Sequence, residues 1–405
     1  MDKVIELERR YGATNYHPLP VVLTRGSGCY VWDAQGNRYL DMMSAYSAVS
    51  HGHAHPRLLD ALQRQAGQLS VVSRAFYTKR LGPFLQRACE LTAMDRALPM
   101  NSGAEAIETA IKAARKWAYE VKGVAADRAE IIACEGNFHG RTLAAIAMSS
   151  AEQYRKNFGP FPPGFKLVAY GNPAALEAAI RPQTAAFFVE PVQGEGGIRV
   201  PPSGYLASCA EICARNEVLL VCDEVQTGLG RTGLFLACQH DGVKPDGLLL
   251  GKALGGGLYP VSLFLARADV MDLFRPGDHG STFGGNALAA TLGLEALDIL
   301  VEEGLVENSA EMGRYLRRGL REIESPLVMD VRGRGLLVGL EIDPDRVMAR
   351  RVCERLLRYG VLTKETHDTV VRLAPPLTIQ RDDIDIAVSA IRTTLAEFEQ
   401  QDDNP

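Results

Sequence analysis

Val218-Leu-Leu-Val-Cys-Asp-Glu-Val-Gln226 is an apolar run that ends on two acids. Short apolar runs bounded by charge suit strands buried on both faces of a sheet. Asp223 then falls at the C-terminal edge of its strand, where open α/β sheets place ligands. An acid in a strand–helix loop is also common where nothing binds, so this stretch alone does not decide function. Working forward, Pro245-Asp-Gly-Leu-Leu-Leu-Gly-Lys-Ala-Leu-Gly-Gly-Gly257 repeats the theme: an apolar strand, then Lys252, then glycines. A lone loop lysine is usually solvated. A lysine just beyond a buried strand end is instead desolvated, which lowers its pKa and makes the amine a nucleophile for a carbonyl.

Asp223 and Lys252 lie 29 residues apart, about one strand–helix–strand unit, so both can reach the same sheet edge. A lysine able to form a Schiff base and an acid able to face a pyridinium nitrogen are what pyridoxal phosphate requires of a protein. The pair is a stronger signal than either residue.

Further apolar runs at Ile131–Ala133, Ala185–Val189, Leu248–Leu250 and Val261–Leu265 read as buried parallel strands. Helical periodicity marks Ala104–Tyr119, Ala174–Ile180 and Gly204–Arg215 between them. Strands alternating with helices predict an α/β domain around a mostly parallel sheet, over residues 51–290. Beyond it, a long helical stretch (Ala287–Glu303), a strand pair (Val328–Asp343), a short β region (Val361–Ile379) and a final helix after Arg381 predict a smaller α+β domain, residues 291–405. The segment 1–50 is expected to pack with that smaller domain.

Three other stretches carry candidate chemistry. Met100-Asn-Ser-Gly-Ala-Glu-Ala-Ile107 opens a helix. Ser102 and Gly103 sit where a helix N-terminus leaves N–H groups free for an anion. Taken alone it reads as an ordinary helix cap; beside Lys252 it reads as a phosphate seat. In Gly136-Asn-Phe-His-Gly-Arg-Thr142, Phe138 can stack on a flat ring and Arg141 can clamp a carboxylate. His139 reads as polar packing. Glu190-Pro-Val-Gln-Gly-Glu-Gly-Gly197, His279-Gly-Ser-Thr-Phe-Gly-Gly-Asn286 and Val371-Arg-Leu-Ala-Pro-Pro376 read, one by one, as Gly- or Pro-shaped turns.

Composition excludes several classes. A net charge of −5 with scattered basic residues gives no nucleic-acid surface. No run approaches the roughly 20 apolar residues of a membrane helix. The first ten residues lack an apolar signal core, which predicts a cytoplasmic protein. Eight scattered cysteines suit reduced structural thiols, and Cys209 and Cys213 have no companions with zinc-site spacing, so no metal is expected.

Together these segments resemble the class III family of pyridoxal-phosphate aminotransferases, of fold type I, over essentially the whole chain. Asp223-Glu-Val-Gln226 and Gly251-Lys252, at their spacing, carry the resemblance. Tyr11-Gly-Ala-Thr-Asn-Tyr-His-Pro-Leu-Pro20, Ser44-Ala-Tyr-Ser-Ala-Val49, Ser73-Arg-Ala-Phe-Tyr77 and Arg372-Leu-Ala-Pro-Pro-Leu377 point to the branch that acts on ornithine. The resemblance implies that Lys252 carries the cofactor and moves the proton. Asp223 would hold the ring nitrogen and Gln226 the phenolic oxygen, with Val225 and Phe138 packing the two ring faces. Ser102, Gly103 and Ala104 would hold the phosphate, joined by Thr282 of a neighbouring subunit, hence a homodimer or higher homo-oligomer.

It further implies transfer of the δ-amino group of ornithine to 2-oxoglutarate. Arg141 and Tyr16 would take ornithine's α-carboxylate and α-amine, and Tyr46 would favour ornithine over shorter ω-amino acids. Glu195 would neutralise Arg372 until the α-carboxylate of glutamate replaces it. N-acetylornithine, 4-aminobutyrate or another ω-amine are the alternative donors. Position 139 departs from animal members of the branch, which carry Trp there; the Phe-His-Gly-Arg-Thr form is similar to bacterial members and to those acting on acetylornithine.

Overall fold

The computed structural model describes residues 2–402. At its centre is a seven-stranded sheet. Its spatial order is Arg96–Met100, Ser262–Ala266, Gly247–Leu250, Leu219–Asp223, Thr184–Val189, Glu130–Cys134 and Phe165–Val168. Residues alternate cleanly between its faces. Ile132, Phe187, Leu220, Leu248 and Leu263 pack into the core on one side. Ile131, Phe188, Val221, Leu249 and Phe264 pack into the core on the other. Burial on both faces explains why these strands read as unbroken apolar runs rather than as alternating ones. Each such side chain contributes roughly 1.5–3 kcal/mol. The helix Gly103–Glu120 supplies Ala106, Ile107, Ala110, Ile111 and Ala114 to the second face. Helices Tyr205–Arg215 and Ala287–Glu302 cover the first.

The sheet differs from the sequence expectation in two respects. Ser262–Ala266 runs antiparallel to both neighbours, with Leu263 opposite Leu250 and Pro99. Only residues 251–261, with one short 3-10 turn, connect it to the preceding strand. A parallel return needs a crossover of a dozen residues or more, so this connection reverses the chain instead. The two edge strands, Arg96–Met100 and Phe165–Val168, were not legible. The first contains Pro99, a residue tolerated in a strand only at a sheet edge.

Two four-stranded sheets flank this core. Leu23–Ser27, Tyr30–Asp33 and Arg38–Asp41 form a meander that Val361–Leu362 extends in parallel, Val361 pairing with Leu40. The other has the order Val328–Arg334, Leu337–Ile342, Val370–Leu373 and Lys364–Thr366. No helix among the described residues is long and apolar enough to cross a membrane.

Backbones meet closely where the helix Leu305–Arg321 crosses the turn between Val328–Arg334 and Leu337–Ile342. A Cβ at Gly313 would stand 2.0 Å from the Gly335 carbonyl oxygen. Nothing there is a flexible side chain that can give way. Gly313→Ala should therefore lower the thermal midpoint, losing about 1–3 kcal/mol or more. Gly319→Ala on the same helix, facing a Val388 methyl at 3.2 Å, should change it much less. Equal midpoints for the two variants would contradict this packing.

Candidate active site

Parallel register delivers three chain segments to one edge. Val189 pairs with Cys222 and Asp223 with Leu249, so Glu190, Asp223 and Lys252 all emerge from strand ends lying side by side. The strand Glu130–Cys134 ends at the same level and releases the loop that carries Phe138 and His139. From the antiparallel side, Ser262 pairs with Met100, which brings in the start of the helix Gly103–Glu120. Gly103, Ala104, Phe138, His139, Gly140, Glu190, Glu195, Asp223, Val225, Gln226 and Lys252 line a single cavity of about 190 Å³. A larger groove of about 520 Å³ beside Leu85 and Phe274 lacks this convergence of buried ionisable groups.

Asp223 is buried and fully engaged on one side. Its Oδ2 accepts from His139 Nδ1 at 2.7 Å, and its Oδ1 accepts from Val225 N at 3.1 Å. Burial opposes a charge on His139, but the hydrogen bond and charge of Asp223 outweigh it and raise the imidazole above its ordinary range. His139 Nε2 is buried without a hydrogen-bond partner. Glu190 accepts from Phe138 N and Gly194 N, at 2.9 and 3.3 Å, and so shapes the loop that carries Phe138. Burial pushes its carboxyl up to about 7. His139 and Glu190 are ionisable residues of the cavity wall to which the sequence alone gave no role; Gly140 lines the same wall and was given none either. His139 lay inside a quoted motif, but nothing in the sequence showed that its ring would turn to Asp223.

Lys252 follows its strand with φ of 45°, in the left-handed region, at the start of a 3-10 turn. Burial pulls its ammonium down to about 8; the charge of Glu195 works the other way and that of Arg372 reinforces the shift. Glu195 Oε1 accepts from Arg372 Nη1 at 2.7 Å and from Gln226 Nε2 at 3.2 Å. Although burial opposes it, Arg372 holds the Glu195 carboxyl down to about 2. Arg372 is 1% exposed, and its Cζ lies 5.1 Å from the centre of the Tyr46 ring, within cation–π range.

The remaining sequence candidates sit at the margins. Ser102 is the exposed N-cap of Gly103–Glu120: its hydroxyl accepts from Glu105 N, and its own N–H donates to the Glu105 carboxylate. Gly103 and Ala104 follow it on the cavity wall, in the first turn, where helix N–H groups have no intrahelical partner. Arg141 is exposed, with its guanidinium 3.9 Å from the centre of the Tyr154 ring and 5.3 Å from that of Phe138. Tyr16 is 72% exposed. Thr282 is exposed and does not line the cavity within this one chain; its neighbour Ser281 accepts from Asn101 Nδ2 at 2.8 Å.

These residues fit pyridoxal phosphate on structural grounds. A Cβ at Gly103 or Gly251 would stand 3.0 or 3.2 Å from Val225 Cγ1, and one at Gly194 would stand 1.8 Å from Gln226 Oε1. Glycine at these places lets Val225 and Gln226 face the cavity. Gln226 Oε1 is buried with no partner, as is His139 Nε2, so polar capacity remains at the site. The donor set (an amine of lowered basicity, a buried acid, free helix N–H groups) matches an aldehyde, a pyridine and a phosphate.

The profile described as "Aminotransferase class-III" matches residues 11–395. The ornithine aminotransferase of Geobacillus sp. (strain WCH70) is 53% identical over 394 residues, which cover 97% of this chain and 98% of that protein. That of Bacillus subtilis (strain 168) is 52% identical over 393 residues, covering 97% of each. Among solved structures, an ornithine aminotransferase from Toxoplasma gondii, with PLP at partial occupancy in its active site, superimposes with a TM-score of 0.97. It is 45% identical, covering 99% of this chain and 95% of its own. The acetylornithine aminotransferase of Elizabethkingia anophelis gives 0.89 at 45% identity, covering 98% and 99%.

Labelling with an amine-acylating reagent, read by peptide mass spectrometry on protein freed of small molecules, should show Lys252 titrating near pH 8. Glu195→Gln removes a charge that supports the ammonium and leaves Arg372 opposing it, so the midpoint should fall further. A midpoint near the ordinary 10.5 in both proteins would contradict the burial described.

Proposed function

The chain belongs to the class III aminotransferases, and on that premise we propose that it moves the δ-amino group of ornithine to 2-oxoglutarate. The products are glutamate and glutamate 5-semialdehyde, which cyclises to pyrroline-5-carboxylate. The observation that carries this reading is the Arg372–Glu195 ion pair, 2.7 Å long, in which Glu195 lines the same cavity as Lys252 and Arg372 lies against Tyr46.

Pyridoxal 5'-phosphate is the proposed cofactor; when bound, it supplies the electron sink that makes loss of a proton from the amine-bearing carbon possible. Lys252 Nζ would hold it and, once displaced by the substrate amine, would carry the proton from one carbon to the next. A lysine with its pKa near 8 suits that work, since the neutral amine is accessible close to neutral pH. Asp223, supported by His139, would keep a proton on the ring nitrogen. Gln226 would face the phenolic oxygen, and Val225 and Phe138 would pack the ring. Ser102, Gly103 and Ala104 would hold the phosphate, completed by Thr282 of a second copy in a homodimer.

Ornithine offers its δ-amine to Lys252 and leaves its α-carboxylate at the mouth, where Arg141 forms no ion pair among the described residues and Tyr16 is exposed. The reacting end of ornithine has no carboxylate. Arg372 would then be a buried, unmatched cation, and Glu195 neutralises it. Glutamate brings its own α-carboxylate, which takes Arg372 as Glu195 moves aside. Because Glu195 is held down to about 2, the exchange is a movement of a charged side chain and not a protonation. Tyr46, lying on Arg372, selects for ornithine over 4-aminobutyrate and other ω-amines. We further assign the protein to the cytoplasm, with residues 51–290 as the cofactor domain and residues 291–405, joined by 1–50, as the smaller one.

Purified protein with 2-oxoglutarate should release trapped pyrroline-5-carboxylate from ornithine far faster than it converts N-acetylornithine or 4-aminobutyrate. Tyr46→Ile should shift preference toward 4-aminobutyrate while keeping the visible cofactor absorbance. Turnover mainly of N-acetylornithine would leave the cofactor site standing and overturn the donor assignment.

A further inference from the structure

Ser44, Ala45, Tyr46 and Ser47 have φ of 43, 47, 59 and 74°. Four successive non-glycine residues in the left-handed region are disfavoured one by one, and persist only where the surroundings over-determine them. Asp41 supplies part of that constraint. Its Oδ1 accepts from Met43 N and Ser44 N at 2.9 and 2.8 Å, and its Oδ2 from His53 Nε2 at 2.7 Å.

The rest comes from Arg231, which is fully buried. No carboxylate forms an ion pair with it among the described residues, and only Asp41 lies near enough for its charge to be felt. Its Nη2 donates to Ser44 Oγ at 3.2 Å and to Ser50 Oγ at 2.9 Å. Its Nη1 donates to the carbonyls of Leu336 and Pro375, at 3.0 and 2.6 Å. Both serines pass the contact on: Ser50 Oγ donates to Ser47 O at 2.9 Å, and Ser44 Oγ to Ala374 O at 2.7 Å. A buried cation without an ion-pair partner is costly, so these four acceptors are its main compensation. They also tie together two pieces of chain. One is the left-handed turn that carries Tyr46. The other, Ala374–Pro375, directly follows the strand that carries Arg372. The Tyr46–Arg372 contact is thus fixed from both sides by one guanidinium.

We propose that Arg231, acting through Ser44 and Ser50, is a positioning residue for donor selection: it holds Tyr46 on Arg372 while touching neither substrate nor cofactor. The inference rests on the reading of Tyr46 as the residue that prefers ornithine. Removing either serine hydroxyl loosens the turn and takes an acceptor from the guanidinium, but leaves the cavity lining intact.

The test compares kcat/KM for ornithine and for 4-aminobutyrate in the holoenzyme, for wild type, Tyr46→Ile, Ser44→Ala and Ser50→Ala. The serine variants stand in for Arg231 variants, whose loss would endanger folding. Each should move the ornithine to 4-aminobutyrate ratio toward that of Tyr46→Ile by about three- to tenfold, the size expected for one lost hydrogen bond. Visible cofactor absorbance should stay at the wild-type level. Ala45→Gly, at an exposed position, lowers the cost of the turn itself. Added to Ser50→Ala, it should bring the ratio back toward wild type. Serine variants that lose thermal stability yet keep the wild-type ratio, where Tyr46→Ile changes it, would show a merely structural Arg231 and overturn the proposal. A Tyr46→Ile enzyme with an unchanged ratio would instead remove the donor reading of Tyr46, and the inference with it.

Discussion

Arg372 lies within a strand of the C-terminal sheet, almost wholly out of water, where an unmatched guanidinium is costly. Glu195 supplies the matching charge from the loop that follows the central-sheet strand Thr184–Val189. The pair therefore joins the central sheet to the C-terminal one at the cavity itself. Gln226 and Tyr46 are arranged around it, one bonded to Glu195 and the other packed on Arg372. Lys252, whose ammonium is lowered chiefly by burial, feels both members, Glu195 raising its pKa and Arg372 lowering it.

A second charged group, Asp223 with His139 and Glu190 beside it, occupies the strand ends on the same edge. The two groups do different work. Asp223 and His139 are fixed to each other by a buried hydrogen bond at the strand ends. Glu195 and Arg372 are the pair that opens in the function proposed, and Glu195 is its less buried partner. One cavity can thus favour a carboxylate at one time and the lack of one at another. A cofactor able to run both half-reactions needs that property of its protein.

Much of this was legible in the sequence because parallel sheets encode position simply. Apolar runs fix strand ends, and Asp223 and Lys252 at successive strand ends must share an edge. The antiparallel strand Ser262–Ala266 was misread because a doubly buried strand shows no direction in its composition; only the short connection before it did. Arg96–Met100 was hidden by Pro99. His139 and Glu190 were missed for another reason. Their importance lies in which way a side chain turns inside a loop, and tertiary packing decides that. Arg231 lay in a Gly-rich stretch, Gly228–Gly233, and its partners at Ser44, Ser50, Leu336 and Pro375 are each more than 100 residues distant in sequence.

The measurement that bears most directly on the exchange between Glu195 and substrate is the rate of each half-reaction alone, in wild type and Glu195→Gln. Ornithine and glutamate would be presented separately to the loaded enzyme under single-turnover conditions. With its charge removed, Arg372 is left unmatched only when ornithine occupies the site. The ornithine half-reaction should slow by about tenfold or more, while the glutamate half-reaction holds its rate or gains affinity. Equal slowing of both would mean that Glu195 serves the two substrates alike, and would contradict the account.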